Sequence, residues 1–260
     1  MYKKKKYVIV TGRVHPGESN SSFMMQGFIK YMVGNSHQAQ QLRKRIVFKI
    51  VPMINVDGVI IGNYRTSMSG NDLNRRYVKP DFRIHPEVCA VKQLASDLIF
   101  GPEDGEAKKS DEPETLGEEI MAFVDMHGHS RKKNVFVYGP QEPLHSSSYL
   151  KMRIIPKLLA EETQKFRYHS CRFRLEQSKQ KAARIVMWRE FSIMNCFTFE
   201  ASFHGHFDHM NNNKEFTCAE YEEMGEHLAN SFFEYLMIIE EEERRRKLAE
   251  IAKKKKKKQK

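Results

Sequence analysis

The sequence predicts a single α/β domain with a mixed, mostly parallel central sheet flanked by helices. Four short runs are mostly apolar without a clean alternation of polar and apolar residues, which is typical of strands covered on both faces. Stretches with a helical spacing of apolar residues separate these runs. At 260 residues and 40% apolar content, the chain is long enough to bury a substantial core.

Strands and helices are predicted to alternate along the chain. We expect strands at residues 7–11, 46–54, 121–126 and 195–199. We expect helices at residues 23–32, 88–98 and 148–166, and from about residue 219 onward. Pro156 should bend or restart the third helix. The polar segment 101–120, which contains Gly and Pro, is expected to form an exposed loop.

The charge distribution argues against nucleic-acid binding as the main function. The formal net charge is +11, but the lysines near the two ends of the chain account for all of it. The sequence between these tails is formally neutral, although residues 165–184 hold seven Lys or Arg and one Glu. The tails are most simply solvated, and they also suit an acidic partner.

Cysteine usage and hydropathy narrow the class of protein further. The four cysteines are scattered without a CxxC pair, which fits neither a disulfide framework nor a cysteine zinc site. The start, MYKKKKYVIV, lacks the features of a secretory signal, and no apolar run approaches the roughly 18 residues of a membrane span. We therefore expect a cytoplasmic protein that does not enter a membrane.

Polar side chains follow each apolar run at its carboxyl end. Because ligands bind outside the carboxyl ends of strands in open α/β sheets, we expect these groups to converge. They are His15, Glu18, Asn55, Asp57, His127, His129 and Glu200. A catalytic zinc site needs three nitrogen or oxygen ligands, which His15, Glu18 and His127 can supply. The HPGE turn alone remains compatible with an ordinary polar loop.

Six motifs in order resemble the zinc metallocarboxypeptidases of the carboxypeptidase A type, family M14. They are HPGE, NVDGV, NYRTSMSGNDLNRRY, DMHGHSRKKNVFVYG, RIVMWRE and FTFEAS. More narrowly, HGHSRKKNVFVYG and RIVMWRE resemble the cytosolic carboxypeptidase branch, whose known members trim glutamates from tubulin and other proteins. The resemblance covers about residues 5–240 and implies a carboxypeptidase-like fold.

The resemblance implies a role for each matching residue. One Zn²⁺ is expected on His15, Glu18 and His127, with Glu200 as the catalytic glutamate and Asp72 behind His15. Arg65 matches the arginine that stabilises the oxyanion, and Asn74 with Arg75 match the clamp for the terminal carboxylate. His129 is the alternative to His127, but the alignment of HGHS favours His127.

A preference for glutamate requires a cation in the side-chain pocket. The basic stretch ahead of the strand that carries Glu200 supplies candidates, which are Arg184, Lys181 and Lys179 in that order. A second metal on His204, His206 and His209 is an open alternative, but the family has no counterpart for it. Trp188 is expected to pack in the core.

Two departures from the family pattern stand out. NVDGV has Val56 where the family generally has Pro, which removes no catalytic group. Family members of this branch carry a β-rich domain before the catalytic one, which itself normally begins with a helix and a strand pair. We therefore expect residues 1–240 to form an N-terminally incomplete catalytic domain, with 241–260 as a charged helical extension ending in polylysine.

The resemblance implies zinc-dependent removal of C-terminal glutamates from acidic protein tails, such as polyglutamylated tubulin. The expected location is the cytoplasm, with association with the cytoskeleton or the cilium as the narrower expectation. One alternative is an inactive scaffold of the same fold that binds microtubules. Another is a zinc acylase of the same fold that hydrolyses small N-acyl amino acids.

Overall fold

A six-stranded mixed sheet forms the centre of the molecule, in a computed structural model that describes residues 5–101 and 118–258. Its strand order is β2-β1-β3-β6-β4-β5, and all neighbours are parallel except the antiparallel pair β4 and β6. The predicted fold class is therefore confirmed. The strands are β1 (Lys6–Gly12), β2 (Ile46–Val51), β3 (Ile120–His129), β4 (Val135–Gly139), β5 (Arg172–Phe173) and β6 (Cys196–Ser202), with a separate hairpin of β7 (His206–Phe207) and β8 (Asn213–Lys214).

Helices flank the sheet on both faces. The helix predicted at 148–166 consists of two helices separated at Met152 and Arg153, and Pro156 lies in the first turn of the second, where proline is tolerated. The polar segment expected as an exposed loop at 101–120 lies outside the described residues except at its ends. The helices are α1 (Asn20–Val33), α2 (His37–Arg45), α3 (Val56–Ile61), α4 (Pro86–Phe100), α5 (Ser147–Lys151), α6 (Ile154–Glu162), α7 (Ala183–Phe191) and α8 (Cys218–Lys258).

Each face of the sheet has its own hydrophobic core. On one face, Val10, Val124 and Phe199 pack with buried residues of α1, α6 and α8. On the other face, Ile9 and Phe123 pack with buried residues of α4 and α7. Burial on both faces is the physical reason that the central strands show near-continuous apolar runs.

Two glycines allow α1 and α8 to cross closely. A Cβ placed on Gly27 would lie 1.9 Å from the Glu222 carbonyl oxygen, and one on Gly225 would lie 1.9 Å from the Met24 carbonyl oxygen. Real Cβ atoms do not approach backbone oxygen so closely, so any larger residue forces the helices apart. The crossing brings the first helix after β1 against the last helix of the chain.

The acidic and basic run EEEERRRK on α8, residues 240–247, forms ion pairs between residues four positions apart. Glu241 pairs with Arg245 at 2.8 Å, and Glu242 with Arg246 at 3.8 Å. Glu240, at the start of this run, instead contacts Arg45 of α2 at 3.0 Å. This ion pair connects α8 to the last residue of α2, directly before β2 begins.

Within residues 5–101 and 118–258, no helix combines the length and the apolar character that a membrane span requires.

Candidate metal centre and substrate pocket

The polar residues at the carboxyl edge of the sheet share one face. In the strand register Thr11 pairs with Asp125, and His127 pairs with Glu200. Directly paired residues point to the same side, and every second residue along a strand returns to that side. The face that begins with Ile9 and Phe123 in the core therefore continues into Thr11, Asp125, His127, His129, Thr198 and Glu200.

The turn between β1 and α1 carries His15 and Glu18 to this edge. The N–H of Glu18 donates to the carbonyl of His15 at 3.2 Å, and the N–H of Gly17 donates to the carbonyl of Tyr64 at 2.7 Å. A Cβ on Gly17 would lie 2.4 Å from the Tyr64 ring, so the close approach requires glycine. The tight HPGE turn thus points both side chains toward β3.

His15, Glu18 and His127 converge on one point. Glu18 Oε1 lies 2.7 Å from His15 Nδ1, and Glu18 Oε2 lies 2.9 Å from His127 Nδ1. The N–H of Gly128 also donates to Glu18 Oε2 at 2.9 Å. The ligand atoms of the three residues all lie within 4.8 Å of one another, and the three residues are buried.

A carboxylate stands behind each histidine. His15 Nε2 lies 3.1 Å from Asp72 Oδ1, as the resemblance implies. His127 Nε2 lies 2.7 Å from Asp125 Oδ2, and the hydroxyl of Thr11 donates to the other Asp125 oxygen at 2.7 Å. A carboxylate that accepts the Nε2 proton leaves Nδ1 as the nitrogen available to a metal ion, and both Nδ1 atoms face Glu18.

The electrostatics of the cluster favour charged carboxylates. Burial raises the pKa of Glu18, but His127 and His15 outweigh it and hold this pKa well below its usual range. Burial also raises the pKa of Asp72, but His15 and Arg65 outweigh this effect and hold the pKa well below its usual range. Burial lowers the pKa of His127, but Asp125 and Glu18 raise it well above its ordinary value. The site therefore gathers negative charge around two histidines.

Glu200 lies beside this cluster on β6. It is 8% exposed, and burial raises its pKa to about 7 against the opposing effect of His127. Thr198, two residues earlier on the same face, accepts a hydrogen bond from Arg184 Nη1 at 3.4 Å. The charges of both the histidine cluster and the buried Arg184 therefore act on Glu200.

The residues predicted to bind substrate lie at different depths. Arg65 is exposed and contacts Asp72 at 2.8 Å, and Arg75 Nη1 donates to the Asn74 carbonyl at 2.8 Å. Asn74 is buried, and its side-chain oxygen accepts the Ala183 N–H at 2.9 Å. This contact connects the carboxylate-clamp motif to the start of α7, which carries Arg184.

Arg184 is the most buried of the three cations proposed for the side-chain pocket. It is 6% exposed, and burial lowers its pKa while Glu200 opposes the shift. Lys179 is half-buried, and burial followed by repulsion from Arg75 lowers its pKa. Lys181 lies exposed between them.

Several expected convergences do not occur. Asn55 caps α3 by accepting the Gly58 N–H at 3.0 Å and donates to the Val14 carbonyl beside His15 at 3.3 Å, whereas Asp57 is exposed on α3. His204 Nε2 lies 2.8 Å from the Ser130 carbonyl, whereas His206 Nε2 lies 3.2 Å from Glu220. Within residues 5–101 and 118–258, His15, Glu18 and His127 form the one group of three or more possible ligands. Trp188 packs against the core beneath α4 and α7 as expected, but it is only half-buried, and its indole N–H donates to Glu142 at 2.9 Å.

Comparison with known families agrees with this arrangement. The peptidase M14 family, described as zinc carboxypeptidase, matches residues 1–222. The chain belongs to the zinc carboxypeptidase family. The family resemblance carried by the six sequence motifs is thereby confirmed.

Relatives within the family carry the name cytosolic carboxypeptidase. Cytosolic carboxypeptidase 3 of Bos taurus is 40% identical over 235 residues, which are 90% of this chain and 22% of that protein. Cytosolic carboxypeptidase 2 of Xenopus tropicalis is 38% identical over 89% of this chain and 22% of that protein. The chain thus spans about a fifth of the length of these relatives.

Solved structures agree in fold. A metallo-carboxypeptidase from Burkholderia cenocepacia superposes with a TM-score of 0.73 at 23% identity, over 91% of this chain and 58% of that one. A metallo-carboxypeptidase from Pseudomonas aeruginosa superposes equally well, with a TM-score of 0.73 at 21% identity over 91% of this chain and 58% of that one.

The residues of this chain fit the zinc ion that the family implies. Two imidazole nitrogens and a carboxylate are a typical catalytic zinc set. Each imidazole is also backed by a carboxylate, as metal-bound histidines usually are.

Asp125 and Thr11 contact the site although neither is expected there from the sequence motifs. Asp125 precedes His127 by two residues, so on a strand both side chains reach the same face. This alternation is a signal that the motif match alone does not use. The position of Thr11 opposite Asp125 depends on the strand register and is not visible in the sequence.

Proposed function

We propose that this domain is a zinc-dependent carboxypeptidase in which His15, Glu18 and His127 hold one zinc ion. The observation that carries the proposal is the convergence of two Nδ1 atoms and one carboxylate, each imidazole being fixed from behind by Asp72 or Asp125. A zinc ion bound there supplies a Lewis acid that polarises a carbonyl and lowers the pKa of water.

Glu200 is proposed as the general acid and base. It lies on the face of the sheet that carries His127, in the adjacent strand and in register with it. In this role Glu200 accepts the proton of the attacking water and later donates one to the leaving amine. Arg65, at the exposed side of the site, is proposed to stabilise the negative oxygen that develops during attack.

Asn74 and Arg75 are proposed to recognise the free C-terminus of the substrate. A guanidinium and an amide together suit a carboxylate, because the arginine can donate two parallel hydrogen bonds. Support comes from the contact between Asn74 and the start of α7, which fixes this pair relative to Arg184. A substrate without a free α-carboxylate should therefore be a poor one.

Glutamate is the proposed terminal residue, and Arg184 is the proposed partner of its side chain. A buried guanidinium is costly unless an anion matches it, and the Nε of Arg184 is buried without a partner among the described residues. Lys179 and Lys181 are the secondary candidates. The branch resemblance and the lysine-rich tails support acidic protein tails, tubulin among them, as substrates in the cytoplasm or on the cytoskeleton.

The direct test is glutamate release from a peptide ending in several glutamates, with purified, zinc-loaded protein. We expect Glu200→Gln to lower the rate by about 10²-fold to 10⁴-fold, since it removes the proposed proton carrier. Glu226→Gln, an exposed change on α8, is the matched control. An amidated peptide should resist cleavage.

Each other outcome favours a different function. If folded, zinc-loaded protein binds microtubules but releases no glutamate, the chain is a scaffold of the same fold. If it cleaves N-acetylglutamate and leaves the peptide intact, the acylase alternative is correct. Equal cleavage of the free and amidated peptides would contradict recognition of the C-terminus.

A further inference from the structure

His129 has a defined proton position in this site. Its Nδ1 accepts the N–H of Arg131 at 3.1 Å and the N–H of Lys132 at 3.0 Å. A ring nitrogen that accepts hydrogen bonds carries no proton, so the proton of His129 is on Nε2. The turn that follows β3 thus fixes both the orientation and the tautomer of this ring.

The proton on His129 determines the direction of the Tyr138 hydroxyl. His129 Nε2 lies 3.3 Å from Tyr138 Oη, so Nε2–H donates and the hydroxyl oxygen accepts. The hydroxyl proton of Tyr138 must then point to a different acceptor. Among the described residues, His129 is the one hydrogen-bond partner of this hydroxyl.

Two cations lie against the ring of Tyr138, and the carboxylates of Glu200 and Glu176 also act on its hydroxyl. Tyr138 pairs in register with Thr198, which accepts a hydrogen bond from Arg184. The guanidinium of Arg184 lies 5.6 Å from the centroid of the Tyr138 ring, and Lys132 Nζ lies 5.2 Å from the same centroid. The Tyr138 O–H and the Nε of Arg184, which is buried without a hydrogen-bond partner among the described residues, are two donors that suit one anionic acceptor.

We propose that Tyr138 is a specificity-determining residue whose hydroxyl donates to the side-chain carboxylate of the terminal residue. His129 acts as a positioning residue that keeps this hydroxyl in the donating orientation. The proposal deepens the proposed function and rests on it, because Arg184 must attract the same carboxylate. Arg184 then supplies charge, and Tyr138 supplies a directed hydrogen bond.

The test measures binding separately from turnover. Peptides that differ only in a terminal Glu or Ala are titrated into the zinc-loaded Glu200→Gln chain, with and without Tyr138→Phe. We expect the preference for Glu over Ala to fall about tenfold with Tyr138→Phe, since one hydrogen bond to a charged group is lost. Tyr31→Phe, which loses a hydroxyl contact to Asn230 at 3.1 Å, is the matched control and should keep the preference.

The role of His129 is tested by two amide substitutions. Gln can present an N–H near the position of Nε2, whereas Asn is too short, so His129→Gln should restore most of the preference that His129→Asn loses. Adding His129→Asn to Tyr138→Phe should have no further effect, because the two residues act through one hydrogen bond. Additive losses would contradict the positioning role.

Failure of the inference and failure of the proposed function give different results. If Tyr138→Phe keeps the wild-type preference for Glu, the inference is wrong even when the wild-type chain releases glutamate. If the wild-type chain releases nothing but its preference for binding Glu depends on Tyr138, the inference holds and the enzymatic proposal fails.

Discussion

The two carboxylates behind the histidines differ in how firmly they are held. Asp125 is fully buried, and each of its oxygens has a partner, in Thr11 and His127. Asp72 is partly exposed and shares its oxygens among His15, Arg65 and the N–H of Asn74. Because a buried carboxylate with both oxygens bonded cannot rotate, the tautomer of His127 depends mainly on Asp125.

We predict that Asp125→Asn weakens zinc binding. The amide can keep the contact with Thr11, but its N–H₂ then faces His127 Nε2 and favours the tautomer with a proton on Nδ1. We expect zinc affinity to fall by about 10-fold to 100-fold, measured by competition with a chromophoric chelator. Asp57→Asn, an exposed change on α3, is the control. Equal affinity for both variants would show that Asp125 does not tune the site.

The ligand set is predictable from sequence because its motifs are local. HPGE places His15 and Glu18 in one turn, and HGHS supplies His127. Two further contacts depend on how the strands pair. Asp125 on β3 contacts Thr11 on β1, and His129 at the end of β3 contacts Tyr138 on β4, across the turn between these strands. The convergence expected for Asp57 is wrong because this residue is exposed on α3, whereas Asn55 caps α3 and contacts the carbonyl of Val14, directly before His15.

At the scale of elements, the crossing of α1 and α8 fixes the helix that follows the HPGE turn. The turn leads directly into α1, and α1 packs against α8 with a backbone approach that only glycine permits at Gly27 and Gly225. A change that separates α1 from α8 is therefore expected to displace the HPGE turn as well.

We predict that Gly225→Ala destabilises the fold. The new Cβ would lie 1.9 Å from the Met24 carbonyl oxygen, so the helices must separate and lose packing. We expect the free energy of unfolding to fall by about 2 kcal/mol or more, from urea titrations followed by circular dichroism. The neighbouring exposed change Glu226→Ala should have little effect. Coincident unfolding curves for the two variants would disprove the close crossing.

Long elements are predictable from periodicity, and short ones are not. The apolar stripes of α1 and α4 and the runs of β1 and β3 are found from sequence because burial imposes them. α2 has only Ala39 and Leu42 buried, which is too few for a stripe. β3 and β6 extend past their predicted ends, since His127 and Glu200 are polar but still pair in the sheet.

At the scale of the molecule, the metal centre and the lysine-rich end of α8 lie apart. Glu240 contacts Arg45, directly before the start of β2, whereas the histidine cluster lies at the carboxyl ends of the strands. The part of α8 beyond Glu240 therefore begins at the opposite edge of the sheet. This supports the proposed division into a catalytic domain of residues 1–240 and a charged extension of 241–260.

We predict that the extension increases affinity for acidic polymers. Replacing the six residues Lys253–Lys258 by Gln removes six positive charges, so binding to a polyglutamate chain should weaken about tenfold at low salt and become less salt-dependent. Fluorescence anisotropy over a series of salt concentrations measures both effects. Parallel salt curves for the two proteins would exclude a docking role for the lysines.

The central claim is that His15, Glu18 and His127 form one zinc site. Its most direct test is a crystal of the zinc-loaded protein, with anomalous differences recorded on both sides of the zinc absorption edge. We predict one strong peak within bonding distance of Nδ1 of His15, Nδ1 of His127 and an oxygen of Glu18. A peak at His204, His206 or His209 instead, or none in zinc-saturated crystals, would contradict the account.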